Sequence, residues 1–269
     1  MAQERYDWAS LGIDVTKPSI ARAYDVVLNG KDNFEVDRGF VTEIVKIIPE
    51  IYDVAAYNRE VLGRGVRYLA GEAGLRQFLD LGSGLPTVQN THQVAQATAP
   101  ETRVAYVDND PIVLAHGRAL LAENDNTTVV TADLREPEAI LADADVRRLI
   151  DFGEPVAVML VGILHHLHDD EGPQRIVETL MDAVPSGSHL FVTSFCASSP
   201  EAVDAERKYL ALLGTGRFRT PEEITAYFGG LELLEPGVVP LPLWRPDGDV
   251  PAELTVGQRL MYGGIARKP

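Results

Sequence analysis

The segment Phe78-Leu79-Asp80-Leu81-Gly82-Ser83-Gly84-Leu85-Pro86-Thr87 constrains this chain more than any other. An apolar strand runs into two glycines and then toward a helix. Glycine lacks a Cβ, so the backbone turns sharply there and a ligand can approach it closely. Such a turn sits at the carboxyl end of a parallel strand, beside a helix N-terminus, where α/β folds bind nucleotides.

The surrounding pattern agrees. From Arg76 onward short apolar runs alternate with helical stretches, as in a parallel sheet covered by helices. Strands are predicted over 77–81, 103–107, 128–131, 156–161 and 189–195. Helices are predicted over 88–98, from Pro111 with Asp110 as its cap, over 141–150, and along Ile176, Val177, Leu180, Met181 and Val184. The continuous apolar run at 156–161 is that of a strand buried on both faces. Beyond it come a helix over 202–213, a second opened by Thr220, and two final strands over 231–234 and 259–266. The Pro-rich stretch 236–251 between those strands reads as a surface loop. Up to Gly74 the pattern is helical instead. Val41, Ile44, Val45 and Ile48 share one helical face that stops at Pro49, and Tyr57, Val61, Leu62, Val66 and Leu69 form a second stripe. The expected organisation is therefore a helical cap or lid over 1–74 and a Rossmann-like, doubly wound, mostly parallel α/β domain over 75–269.

Charge narrows the partners. Forty acidic residues against 24 basic ones give a net charge of −16, and Arg64, Arg67 and Arg76 are diluted by Glu60 and Glu72. Without a basic patch the chain is a poor match for nucleic acid or an anionic membrane surface. The single cysteine, Cys196, rules out an intramolecular disulfide and a Cys-rich zinc site. The stretch 1–10 has no apolar signal-peptide core, and the longest apolar run, 156–164, is far short of the ~20 residues that span a bilayer. A cytoplasmic protein is expected.

Two nucleotide cofactors compete for the glycine turn. A dinucleotide fingerprint wants a third Gly or Ala, and Thr87 stands there. Asp80, two residues before the first glycine, is a poor neighbour for a diphosphate and a good one for the sulfonium and ammonium of S-adenosylmethionine (SAM). Gly82, Ser83 and Gly84 form the turn itself. Asp108, at the end of the second strand, is suited to accept both ribose hydroxyls, with Asn109 beside it. After the third strand Asp133 can accept the adenine amino group while Leu134 packs on the ring. The fourth strand runs out through Gly162 into Leu164-His165-His166-Leu167-His168-Asp169-Asp170. A histidine there can serve as a general base, and His165 is the candidate. Metal ligation and plain packing are the other readings of this cluster, and no metal is expected. His165 and His166 point in different directions, so at most one faces the cleft. In the N-terminal segment, Tyr24 and Asn33 lie in a helix–turn cluster that can fold over the cleft and touch the cofactor.

Asp80-Leu81-Gly82-Ser83-Gly84, Asp108 and Asp133-Leu134, in this order, resemble class I SAM-dependent methyltransferases over roughly 76–195. A closer likeness spans nearly the whole chain. Ser19-Ile20-Ala21-Arg22, Gly30-Lys31-Asp32-Asn33-Phe34, Asp37-Arg38, Tyr106-Val107-Asp108-Asn109-Asp110-Pro111 and Trp244-Arg245-Pro246 are similar to a bacterial family of SAM-dependent methyltransferases long carried as a domain of unknown function. The resemblance implies a seven-stranded sheet with a reversed last strand, SAM as cofactor, and no particular acceptor. Leu164-His165 followed by Asp169-Asp170-Glu171 is also similar to a stretch of small-molecule O-methyltransferases whose histidine is the base. The expected function is methyl transfer from SAM to a small-molecule O or N acceptor. The alternatives are a non-catalytic SAM-binding regulator and, disfavoured by Asp80 and Thr87, an NAD-dependent oxidoreductase. The residues name neither the acceptor nor an oligomeric state.

Overall fold

The computed structural model describes residues 12–86, 89–121 and 125–269. The polar stretch 1–10, Thr87, and Val88 at the start of the helix predicted over 88–98 lie outside the described residues.

Five strands form the parallel part of the sheet: β1 (Gln77–Leu81), β2 (Arg103–Asp108), β3 (Thr127–Thr131), β4 (Ala157–Val161) and β5 (His189–Phe195). Three more are antiparallel to their neighbours: β6 (Glu232–Leu233), β7 (Val239–Pro240) and β8 (Met261–Arg267). The order is β3-β2-β1-β4-β5-β8-β6, with β7 also on β8. The chain steps outward from β1 to β3 and then returns to the other side of β1. The direction therefore reverses between β1 and β4, which opens the crevice where such sheets bind ligands.

Among the described residues the sheet has eight strands rather than seven. Its width is still seven positions, because β6 and β7 share one edge of β8: Leu233 pairs with Ala266 and Val239 with Gly263. The edge is split around Pro236, which has no N–H for a ladder. The loop predicted over 236–251 is not wholly on the surface. Trp244 is fully buried, stacked on Phe191 with ring centroids 6.1 Å apart. The helix predicted over 141–150 is two helices, α6 (Pro137–Ala142) and α7 (Ala144–Leu149). Asp143 between them turns its carboxylate onto the amides of Asp145 and Val146, which starts α7 anew.

The N-terminal region comprises α1 (Ile20–Val27), α2 (Glu35–Val45) and α3 (Ile51–Arg67), the last running into a π-helical turn over Tyr68–Glu72. Ser19 caps α1 by accepting the Arg22 amide. Asp37 of α2 is fully buried and accepts from the Ser19 amide, the Arg22 Nε and the Phe34 amide at 3.0, 2.8 and 2.8 Å. The residues Ser19, Arg22 and Asp37 thus pin the first two helices together.

Two apolar layers flank the sheet. Val61, Val66, Phe78, Val104 and Phe191 pack on the α3 side, and Leu79, Leu81, Val107, Val158 and Leu180 on the other. Side chains alternate along a strand. Asp80 therefore faces the α3 side with Phe78, and it does so at the carboxyl end of the sheet. The remaining helices are α4 (Thr91–Thr98), α5 (Pro111–Leu121), α8 (Pro173–Asp182), α9 (Pro200–Leu213) and α10 (Pro221–Ala226).

Candidate functional site

A cavity of about 520 Å³ lies between the carboxyl end of the sheet and the N-terminal helices. That is within the range of roughly 300–1,000 Å³ common for small-molecule sites.

The glycine turn forms one end. Gly82 and Gly84 have φ of +66° and +67°, the left-handed region that glycine enters freely. A Cβ on Gly82 would lie 2.3 Å from Ile163 Cγ1, whereas one on Gly84 would meet nothing within 4 Å. The first glycine is demanded by packing and the second leaves open space at the cavity. The amides of Gly82 and Ser83 both donate to the Val107 carbonyl, so the turn is tied to β2.

Two carboxylates face this end. Asp80 is buried and accepts the Thr91 hydroxyl at 2.7 Å. Burial pushes its carboxyl up to about 6, against the opposing pull of the Thr91 hydrogen bond and Arg59. Asp108 accepts the Gly84 amide at 2.8 Å and the Asp110 amide at 2.9 Å, and burial raises it too. Each Asp108 oxygen keeps a further acceptor site. Asp110 caps α5 by accepting the Ile112 amide, as the sequence suggests.

Tyr24, Asp80, Gly82, Ser83, Gly84, Asp108, Asn109, Gly162 and His165 all border the cavity; Asn33, Asp133 and Leu134 do not. Asn33 spends its amide inside the turn, donating to Asp25 at 2.7 Å and accepting from Arg38 at 2.8 Å. Asp133 is gripped by the Arg135 guanidinium, which holds its carboxyl down at about 2. Its link to the cavity is a long contact from the Asn109 amide, 3.4 Å. Leu134 is buried in the layer opposite α3.

His165 lies on the wall but is poorly arranged for a base. Its Nδ1 accepts the Phe195 amide at 3.3 Å, so the lone pair is engaged and the neutral ring carries its proton on Nε2. Burial pushes it well below the ordinary histidine range. His166 also borders the cavity, so both adjacent histidines reach it rather than at most one. The rest of the cluster disperses: His168 bonds the Gly214 carbonyl, and Asp169 pairs with Arg219. Among the described residues no group of three or more His, Cys, Asp or Glu is placed to hold a metal ion. Cys196 is buried, which pushes its thiol up to about 12.

Two wall residues escaped the sequence reading. Asn58 of α3 donates to the Tyr24 hydroxyl at 3.1 Å and accepts the Thr193 hydroxyl at 2.7 Å. A Cβ on Gly162 would press on it at 3.2 Å. Arg59 follows it and donates to the Gln89 carbonyl. The available signal was Asn58 itself, a polar residue in register with Val54 and Leu62 on the buried face of a helix.

The donor set at the glycine end fits SAM. Buried Asp80 suits its sulfonium and ammonium, half-buried Asp108 its ribose hydroxyls, and the open face of Gly84 lets a flat nucleoside approach. A mostly parallel sheet with a reversed final strand, a glycine turn at the reversal point and acidic ends on β1 and β2 together define a Rossmann-like SAM-dependent methyltransferase. The model of the S-adenosyl methyltransferase family matches residues 6–269, and the chain belongs to that family. Its structure is similar to that of a candidate methyltransferase from Thermobifida fusca YX, at 54% identity and a TM-score of 0.94, covering 98% of this chain and 99% of that one. It is also similar to a DUF574 family protein from Streptomyces avermitilis MA-4680, at 38% identity and a TM-score of 0.91, covering 95% and 99%. An O-methyltransferase family protein from Burkholderia thailandensis shares the fold at 14% identity, with a TM-score of 0.52 over 83% of this chain and 61% of that one. No curated protein matches the sequence. Family membership makes the chain a SAM-dependent enzyme and sets aside both alternatives raised by the sequence.

Proposed function

We propose that this methyltransferase acts on a hydroxyl or nitrogen of a small molecule held in the cavity between the sheet and the N-terminal helices. The single observation behind this reading is the continuity of the cavity, which runs from Asp80 and Asp108 to the apolar faces of α1, α2 and α3. Cofactor and acceptor thus share one space, cramped for a macromolecule. The net charge of −16 also argues against nucleic acid as acceptor.

Asp108 holds the ribose and Asp80 the cationic end, with the backbone of Gly82, Ser83 and Gly84 alongside and with Tyr24 and Gly162 bordering. The adenine-facing role passes from Asp133, already held by Arg135, to Asn109. Residues 1–74 serve as the cap and 75–269 as the cofactor-binding domain. SAM supplies an electrophilic methyl group on a sulfonium. The chain supplies alignment and exclusion of water, which are worth much of the barrier in a displacement of this kind. Among the described residues no helix is long and apolar enough to cross a membrane. With the single thiol buried and free, this supports an enzyme of the cytoplasm.

Calorimetric titration with SAM, S-adenosylhomocysteine and NAD tests the cofactor site. Saturable binding of the first two and none of NAD is expected; binding of NAD alone would overturn the reading. Incubation with labelled SAM and a cell extract tests the acceptor. Label in the small-molecule fraction is expected, and label confined to protein or nucleic acid would defeat the proposal.

A further inference from the structure

The two ends of the cavity differ in kind. The charged groups on its wall cluster at the cofactor end. Asp80, Asp108 and Asp110 belong to the strand ends, Arg59 reaches over to the Gln89 carbonyl, and Asp14 and Lys17 lie in a segment packed on Leu85 and Ile112. Arg22 also borders the cavity, but its charge is spent on buried Asp37. The other end is walled by apolar side chains, among them Val27, Ile44, Val54, Ala55, Leu213 and Met261. The polar groups among them are uncharged.

Two of those groups lack hydrogen-bond partners among the described residues. Among the described residues neither ring nitrogen of His166 makes a hydrogen bond; Nδ1 is sealed from water, which leaves Nε2 as the nitrogen a ligand in the cavity can reach. The Tyr209 hydroxyl has no hydrogen-bond partner among the described residues either. Unpaired polar groups in a wall of this kind are costly, and a native structure keeps them when something else completes them. The two rings lie 6.4 Å apart, and His165 and Phe195 continue the same aromatic wall, with centroids 4.3 Å from His166 and 5.5 Å from Tyr209 respectively. The Thr215 hydroxyl holds the His166 backbone carbonyl at 2.5 Å and so fixes the ring's anchor point.

We propose that the methyl acceptor is an uncharged, mainly apolar, flat molecule that lies along this aromatic wall, with its hydroxyl or N–H held by His166 and Tyr209. The inference rests on the cavity being the methyl-transfer site. Of the two adjacent histidines, His165 is already committed to the backbone and His166 is the one offered to a ligand. Burial pushes His166 down to about 3, so the ring is neutral, and Nε2 meets the ligand as donor or acceptor according to the tautomer. A carboxylate or ammonium on the ligand would enter this end without a counter-charge, which is strongly unfavourable.

The test uses the protein saturated with S-adenosylhomocysteine and titrated calorimetrically with 2-naphthol, naphthalene and 2-naphthoate. 2-Naphthol is expected to bind at least about tenfold more tightly than either of the others, the worth of a hydrogen bond or of an uncompensated charge. His166→Phe and Tyr209→Phe are each expected to weaken 2-naphthol by about tenfold, leaving naphthalene and S-adenosylhomocysteine affinities unchanged. Tyr209→Phe keeps the ring and its packing, so it reads the hydroxyl independently of how His166→Phe folds. Tighter binding of naphthoate, no binding of 2-naphthol while S-adenosylhomocysteine binds, or unchanged 2-naphthol affinity in Tyr209→Phe would each overturn the proposal. Failure to bind S-adenosylhomocysteine would instead overturn the site reading beneath it.

Discussion

The carboxylate of Asp108 accepts the amide of Gly84 at 2.8 Å, so the end of β2 fixes the glycine turn that follows β1. Two jobs then fall on one side chain: it shapes the turn and, in the proposed binding mode, holds the ribose. Asp108→Ala is expected to lose SAM affinity by more than about tenfold, since hydrogen bonds to a charged group are worth about 1.5–3 kcal/mol. Asp108→Asn keeps one acceptor oxygen and should lose less. Titration calorimetry measures both, and unchanged affinity in the alanine variant would remove Asp108 from the site.

Asp80 gives a pH dependence with a definite sign. Its carboxyl is raised from 3.8 to about 6, with burial the largest cause. A carboxyl with a raised native value favours folding below its unfolded value and loses that contribution as pH rises through the native one. The unliganded protein therefore carries a strain of about 3 kcal/mol above pH 6 on this account. Asp80→Asn should raise the thermal midpoint at neutral pH while weakening SAM, whose cationic end would lose its counter-charge. Wild-type affinity for SAM should fall as pH drops through about 6. A SAM affinity that is flat from about pH 5 to 8 would contradict this assignment.

The two glycines of the turn should respond differently to a methyl group. Gly82→Ala meets Ile163 at 2.3 Å as well as an unfavourable φ, whereas Gly84→Ala meets only the φ. The second change should cost about 1–2 kcal/mol, and the first more. Urea unfolding of the two variants gives the comparison, and equal losses would mean that the packing of Ile163 relaxes.

The Asp37–Arg22 pair is buried on both sides, at 0% and 2% exposure. Removing one member leaves an uncompensated charge, so Asp37→Ala should destabilise by about 3–5 kcal/mol. Because α1 and α2 border the cavity, SAM affinity should fall as well. A variant of normal stability would show that Arg22 finds another partner, such as the Lys17 carbonyl it already touches.

The glycine turn and the strand alternation were legible because both are local: a positive φ needs glycine, and an apolar run of strand length needs a sheet. Family-like strings at Ser19–Arg22 and at Asp37 were legible as patterns but not as architecture, since their meaning is a contact between two helices. Asn58 was hidden in an apolar stripe, and its partner Thr193 lies 135 residues away. Asp133 went unread as half of an ion pair, for the opposite reason. Its partner stands two residues on, at Arg135, and a local ion pair removed it from the cavity wall. Adjacent histidines could not be told apart in sequence, because the distinction lies in which of the two rings the Phe195 amide bonds, and that is His165.

Arg64 of α3 donates to the carbonyls of Leu241 and Trp244, both at 3.0 Å, across 177 and 180 residues of chain. The helix that carries Asn58 and walls the cavity is thereby anchored by a segment made much later. α3 also packs on α1 and α4, so the late segment adds to a seat that earlier elements already begin. A chain cut before residue 241 would leave the Arg64 guanidinium without these two acceptors, so the cavity wall depends on residues remote in sequence from the glycine turn.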